Sequence, residues 1–200
     1  MNKISCFLLA AGQSSRMGTV NKLLLPIAGK SLIRRTVEEL LKFSFAEIVV
    51  ITGHESELII SELKGLAVQF VLNSNFASGM HSSIRAGLNN SRVAANDGFM
   101  ICLSDQPFFQ IDLVKKLSEI FSENSGPRIV FPVVGQKRGH PVLISTHFIP
   151  EILNEPDADH GCHYLFQRHP DQLIQFETEG ESIFIDVDTP EQYAEHRGFL

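Results

Sequence analysis

Directly after the apolar run Cys6 to Ala10 the chain reads Ala11-Gly12-Gln13-Ser14-Ser15-Arg16, with Lys22 close behind. Residues without bulk let backbone N–H groups approach an anion, and two fixed cations offset its charge, so this loop suits a triphosphate. Two better-known phosphate loops do not fit. Gly29-Lys30-Ser31 ends like a Walker A sequence, but the earlier glycine would have to be Leu24, and Pro26 interrupts the turn. A dinucleotide fingerprint needs a second glycine soon after Gly12, where Gln13, Ser14 and Ser15 stand, so a Rossmann-type NAD site is unsupported. The plain alternative for Arg16 and Lys22 is a pair of solvated loop cations; the small residues between strand and loop argue against it.

The second chemical group is acidic. Asp105 stands two positions beyond the apolar run Gly98 to Leu103, at the carboxyl end of a strand, where open α/β sheets form their ligand crevice. Mg²⁺ takes one or two carboxylates plus phosphate oxygens and water, so Asp105 and one further acid suffice beside a bound triphosphate. Asp188 and Asp186 are the candidates, and Asp188 is preferred because it immediately precedes a helix start. A helix cap is the competing role for Asp188, and a turn residue ahead of Pro107 the competing role for Asp105.

A third stretch, Asn73 to Leu88, contains Gly79, which permits close backbone approach, and Ser82 and Ser83 at a helix start, whose free N–H groups favour acceptor atoms. His81, alone in that turn, reads as structural. In Lys137-Arg138-Gly139-His140-Pro141, the glycine and proline make a stiff wall around His140, and the two cations could meet a phosphate; a surface hairpin with incidental charges is the alternative.

Alternating strand and helix patterns must position these residues. Strand-like runs at Cys6 to Ala10, Glu47 to Thr52, Val68 to Leu72 and Gly98 to Leu103 alternate with helical spacing, which favours parallel βαβ units. Ser31 caps a helix with Leu32, Ile33, Val37, Leu40 and Leu41 on one side and Arg34, Arg35, Glu38 and Glu39 on a solvated one. Helices are expected from about His54 to Lys64, Met80 to Asn90 and Ile111 to Ser122. Ile129 to Val134 and His140 to Ile144 read as strands joined by a short Gly-bounded turn. A last strand, Ser182 to Val187, would lead into a helix begun by Asp188-Thr189-Pro190-Glu191.

With 200 residues and 44% hydrophobic content, one soluble domain with a buried core is the expectation. A formal charge of −6 argues against a nucleic-acid surface. Cys6, Cys102 and Cys162 are odd in number and far apart, suggesting neither a disulfide framework nor a zinc site. The amino-terminal apolar run is too short and interrupted for a signal peptide, and no segment could span a bilayer, so a cytoplasmic location with no membrane partner is expected.

In order along the chain, Leu-Ala-Ala-Gly-Gln-Ser-Ser-Arg-Met-Gly with a later Lys-Leu-Leu, Gly-Met-His-Ser-Ser-Ile-Arg-Ala-Gly-Leu, Leu-Ser-Asp-Gln-Pro, Arg-Gly-His-Pro-Val and Asp-Val-Asp-Thr-Pro-Glu resemble the molybdenum cofactor nucleotidyltransferases. Each motif alone is weak to moderate, and their ordered conjunction is strong. The resemblance implies one nucleotidyltransferase domain over residues 1–200: a three-layer, Rossmann-like open sheet, mostly parallel, of the nucleotide-diphospho-sugar transferase type. It implies that Leu9, Ala10, Ala11, Gly12, Gly79 and Ser83 hold the nucleotide, that Arg16 and Lys22 bind the triphosphate, and that Asp105, with Asp188 or Asp186, binds Mg²⁺. Arg16, Lys22 and Asp105 would carry catalysis, and Arg138, Gly139, His140 and Pro141 would lie beside the acceptor. Leu-Ala-Ala-Gly, in place of the Leu-Ala-Gly-Gly of guanylyl relatives, favours CTP. The implied reaction places CMP on the phosphate of molybdopterin and releases pyrophosphate, with transient contact to a molybdenum hydroxylase. Other acceptors, such as a sugar phosphate or methylerythritol phosphate, and a non-catalytic cofactor chaperone are the rival readings. One departure stands out: Asp159-His160-Gly161-Cys162-His163 has His163 where the family usually has arginine, and it carries a full charge only when protonated.

Overall fold

Seven residues of near-continuous apolar character, Ile4–Ala10, form the strand β1, buried on both faces as a central parallel strand must be. The computed structural model describes residues 3–196 apart from 19, 107, 109, 158 and 180. Pro107, at the end of Leu-Ser-Asp-Gln-Pro, therefore lies outside the described residues. After β1 come α1 (Leu32–Leu40), β2 (Glu47–Thr52), α2 (Ser56–Glu62), β3 (Gln69–Leu72), α3 (Met80–Asn90), β4 (Gly98–Leu103) and α4 (Ile111–Glu123). The chain continues through β5 (Ile129–Val134), β6 (Lys137–Arg138), β7 (Val142–Ser145), α5 (Ile149–Asn154), α6 (His163–Arg168), β8 (Leu173–Glu177) and α7 (Pro190–His196).

Across the sheet the strands run β8, β5, β7, β4, β1, β2, β3, with β6 folded back on β5. β4, β1, β2 and β3 are mutually parallel, as are β8 and β5. β7 runs antiparallel to both β4 and β5. Chain order departs from β1 to β2 on one side and from β1 to β4 on the other, so the switch point of the sheet lies between the carboxyl ends of β1 and β4.

Two apolar layers close the sheet. Cys6 and Leu8 of β1 pack with Ile33 and Val37 of α1 and Val114 and Leu117 of α4. Phe7 faces the other way, with Ile84 of α3, Ile152 of α5 and Leu165 of α6. Strand alternation places helices on both faces, giving three layers. The thiols of Cys6 and Cys102 lie 3.8 Å apart within the core as free cysteines. No helix among the described residues is long and apolar enough to cross a membrane.

Ser31 caps α1 by accepting from the Arg34 N–H, as its position ahead of the apolar stripe implies. Gly29-Lys30-Ser31 belongs to a small hairpin, Pro26–Ile27 against Lys30–Ser31, with Ala28 and Gly29 at positive φ in its turn. Its Lys30 reaches Glu38, so this stretch forms no phosphate loop.

The strand expected over Ser182 to Val187 is absent. Glu181–Phe184 is a single 3-10 turn, and Ile185 to Asp188 form no regular element. Ile183 and Val187 are buried there, and the Val187 N–H bonds to the carbonyl of Asp105, so the segment is held by packing and by a loop. Asp186 is therefore a loop residue, not the end of a strand. The seventh strand of the main path is instead β8, whose Ile174 and Phe176 face the core at a spacing of two. Helices α5 and α6 are likewise short elements beyond the sequence pattern. The strand expected at His140 begins only at Val142, and His140 and Pro141 precede it outside the ladder.

Candidate active site

At the switch point a cavity of about 270 Å³ opens between the loop after β1, the start of α3 and the end of β4. Leu9, Ala11 and Gly12 form one wall, Gly79, Met80 and Ser83 another, and Lys22 and Asp105 stand at the charged end. Alternation along β1 turns Leu9 toward the cavity and Ala10 into the core. Ala10 thus lines no part of the cavity. A Cβ built on Gly12 meets nothing within 4 Å, so the loop backbone faces open space that a ligand can approach.

Ser14 shapes the loop. It sits at φ 51°, a left-handed conformation unusual outside glycine, and is held there by two contacts. Its carbonyl accepts from the Met17 N–H and its Oγ from the Lys22 N–H. Asn21 adds a cap, accepting from the Leu23 N–H while its amide donates to Glu55. The backbone of Lys22 is thereby fixed, and its four-carbon stem carries the ammonium to the carboxylates.

Lys22 Nζ lies 2.7 Å from Asp105 Oδ2 and 2.5 Å from Asp188 Oδ1. Arg16 Nη1 donates to the other Asp188 oxygen at 2.7 Å. Four residues from three distant parts of the sequence thus converge on one ion cluster. Lys22 is 12% exposed and Arg16 72%, so the first is the inner cation and the second the outer. Burial works to lower the Lys22 pKa, but the charges and hydrogen bonds of Asp105 and Asp188 outweigh it and leave the ammonium raised above its ordinary value.

Asp188 does not cap α7. Thr189 Oγ1 accepts from the Gln192 N–H, and Gln192 Oε1 returns the bond to the Thr189 and Asp188 N–H groups, a reciprocal capping box that leaves the Asp188 carboxylate to Lys22 and Arg16. Asp186 is turned aside, accepting from Gln106 Nε2 at 2.8 Å. Burial, followed by the nearby charges of Asp105 and Asp188, raises its carboxyl above the usual range.

Asp105 and Asp188 touch one ammonium from two directions, so a single cation already fits between them. A divalent ion with phosphate and water ligands suits that donor set. Among the described residues no group of three His, Cys, Asp or Glu side chains could hold a metal without such help.

A second cavity, about 190 Å³, adjoins the first across Met80. Arg138, Gly139 and His140 line it; Pro141 is buried behind them. Packing is close at Gly139, where a Cβ would lie 2.5 Å from Ile183 Cδ1, the movable end of that side chain. The Arg138 guanidinium lies over Phe166, 4.9 Å from the ring centre. Lys137, by contrast, sits over Phe184 at 6.0 Å and lines neither cavity, so it does not join Arg138. Burial lowers the His140 pKa, against a hydrogen bond to the Ile101 carbonyl and the charge of Asp105. His160, Cys162 and His163 close the opposite side, and Asp159 reaches back into the first cavity.

Several participants escaped sequence reasoning. Phe76 and Ser104 line the nucleotide-sized cavity, and Ser104 Oγ bonds to the Leu9 carbonyl at 2.6 Å. Gly53 lies behind it: a Cβ there would stand 2.8 Å from both the Ala11 carbonyl oxygen and Phe76 Cβ. The signal for Gly53 is a glycine immediately after a strand, at the same sheet edge as Ala11. His81 is fully buried, between Asp157 at 3.5 Å and the Tyr164 hydroxyl at 3.4 Å, and faces neither cavity.

Comparison with known proteins bears on the whole of this arrangement. The chain is 28% identical over 195 residues to nicotine blue oxidoreductase of Paenarthrobacter nicotinovorans, covering 92% of each. It is 24% identical over 201 residues to molybdenum cofactor cytidylyltransferase of Escherichia coli strain K12, covering 96% of this chain and 95% of that one. Its fold superposes with a TM-score of 0.84 on a nucleotidyl transferase from Methanothermobacter thermautotroptrophicus, at 20% identity, over 100% of this chain and 98% of the other. The model of the MobA-like NTP transferase domain matches residues 6–173, which include the loop after β1, the start of α3, the end of β4 and the Arg138 wall. By that match the chain belongs to the MobA-like NTP transferase family.

Proposed function

We propose that this nucleotidyltransferase moves CMP from CTP to the phosphate of molybdopterin and releases pyrophosphate. The observation that carries the reading is the cluster of Arg16, Lys22, Asp105 and Asp188 at the mouth of one cavity, with a second cavity beginning across Met80. The relative named molybdenum cofactor cytidylyltransferase supports the choice of substrates.

In this reading Leu9, Ala11, Gly12, Gly79 and Ser83 enclose the nucleoside and its phosphates, and Arg138, Gly139 and His140 border the acceptor. An acceptor phosphate oxygen attacks the α-phosphorus, a new P–O bond forms, and the bond to the β-phosphate oxygen breaks as pyrophosphate leaves. The chain positions the two reactants and offsets charge, which is most of what phosphoryl chemistry asks of a protein. Mg²⁺ held by Asp105 and Asp188 would neutralise charge at the α-phosphate. Arg16 and Lys22 stabilise the departing pyrophosphate.

The test is pyrophosphate release from each of four nucleoside triphosphates, with and without reduced molybdopterin. CTP with the pterin is expected to be fastest. Release with a sugar phosphate or methylerythritol phosphate alone would reassign the acceptor, and retention of the pterin without release would indicate a chaperone. The name of the 28% identical relative motivates one more arm. Consumption of a reductant by an oxidised dye, with no pyrophosphate from any triphosphate, would overturn nucleotidyl transfer.

A further inference from the structure

The two cations assigned to the triphosphate are paired with the two carboxylates assigned to the metal. Lys22 Nζ contacts both Asp105 and Asp188, and Arg16 holds the remaining Asp188 oxygen. We propose that Lys22 is an internal placeholder for the metal: it holds the two carboxylates in register and is exchanged for the divalent cation when a triphosphate arrives to receive it.

Charge balance carries the argument. Two cations and two carboxylates make the cluster neutral as it stands. A divalent ion entering alone would displace a mostly buried ammonium, leaving it without a partner and the site with two excess positive charges. A triphosphate entering alone would meet two carboxylates, while the cations it needs are already engaged. Entry of both resolves each conflict, because the carboxylates take the metal and the released ammonium and guanidinium take phosphate oxygens.

The geometry permits the exchange. The Lys22 backbone is fixed by Ser14 and by the cap of Asn21, so a rotation of its flexible stem moves the ammonium without moving the loop. Asp188 is free to change partners because Thr189 and Gln192 cap the helix without it. Among the described residues no third acid or imidazole joins the two carboxylates as a ligand group, so phosphate oxygens would complete the shell of the metal when the triphosphate arrives. Metal and triphosphate binding are then positively coupled through the protein, each raising affinity for the other by the same factor.

This inference rests on the nucleotidyl-transfer reading, and the experiment separates the two. Mn²⁺ binding to the nucleotide-free chain is measured by electron paramagnetic resonance for the wild type, Lys22→Met and Lys22→Gln, with thermal melts taken with and without Mn²⁺. Both neutral variants are expected to bind free Mn²⁺ roughly tenfold or more tightly than the wild type, within the usual range of coupling effects. Mn²⁺ should raise their melting temperature while leaving that of the wild type nearly unchanged. Adding Asp188→Asn to Lys22→Gln should abolish the gain. Unchanged or weaker Mn²⁺ binding in a folded neutral variant overturns the placeholder role. If the wild type nevertheless binds Mn²⁺ with CTP, the nucleotidyl-transfer reading survives; if no form binds Mn²⁺ even with CTP, both fall.

Discussion

Gly53→Ala tests how the floor of the first cavity is built. Gly53 follows β2 and is buried, and an added methyl carbon would lie 2.8 Å from the Ala11 carbonyl oxygen, 2.8 Å from Phe76 Cβ and 2.9 Å from Ala11 Cβ. None of these atoms is the free end of a flexible side chain. Ordinary carbon contacts lie near 3.5 to 4.0 Å, so Ala11 or Phe76 must retreat by several tenths of an ångström. Overpacking of this kind costs about 1–3 kcal/mol, and for a domain of this size each kcal/mol lowers Tm by about 2–4 °C. The expected loss is thus roughly 2–12 °C by calorimetry. Because Ala11 and Phe76 both line the cavity, the KM for the nucleotide should rise in a pyrophosphate-release assay while the far face of the sheet keeps its packing. A variant with wild-type Tm and wild-type KM would refute the claim that this glycine sets the approach of the two walls.

Asp105→Asn keeps the shape of the side chain but removes one of the two charges on Lys22, and turnover should fall by about 10²–10³, as when one preorganised transition-state contact is lost; turnover within threefold of wild type in the same assay would refute the assignment. His81 gives a pH dependence of defined sign. Burial lowers its pKa, with Arg85 acting in the same direction and Asp157 and Glu155 opposing, so the unfolded chain takes the proton first as pH falls. Stability from this group is complete above the ordinary histidine value of about 6.5, declines as pH drops through it, and levels off once the native ring is protonated too. Urea midpoints measured between pH 7.5 and 5 should show that decline, and His81→Asn should flatten it.

The regular part of this fold was legible because it obeys simple periodicities. β2, β4, β5 and α3 lie at the expected residues, since buried parallel strands are short apolar runs and Gly79 at φ 97° marks where α3 must begin. The region after Ser145 was not. α5 and α6 have six residues each, too short for a helical stripe to stand out, and β8 has intermediate exposure at an edge of the sheet. Ile183 and Val187 imitate a strand because both are apolar, but Ile183 lies in a 3-10 turn and the Val187 N–H bonds to the loop carbonyl of Asp105. At the candidate site, residue types single out Arg16, Lys22, Asp105 and Asp188 as candidates, whereas only the fold shows that they meet and which cation pairs with which carboxylate. The capping question at Asp188 is similar. Asp-Thr-Pro-Glu offers two possible caps, and the choice falls to Thr189 because Gln192, three positions on, can return the hydrogen bond.

On the proposed reading, the same cluster lets the loop after β1 serve a triphosphate without a glycine-rich cradle of the Walker type. A cradle supplies fixed N–H groups, and its anion affinity is always present. Here much of the positive charge is on side chains, where it is paired with Asp105 and Asp188. Removing either carboxylate should therefore do two opposite things: weaken metal-dependent turnover and strengthen binding of a metal-free triphosphate, because Lys22 is partly released. Asp188→Asn provides the cleaner case, since Asp188 alone engages both cations while Asp105 still holds Lys22 in place. With EDTA present, CTP should bind this variant more tightly than the wild type by calorimetry. With Mg²⁺ its turnover should be lower. A variant that binds metal-free CTP no better than wild type would mean that the ion pairs do not restrain the cations, and that the charges on the two sides of the cluster act independently.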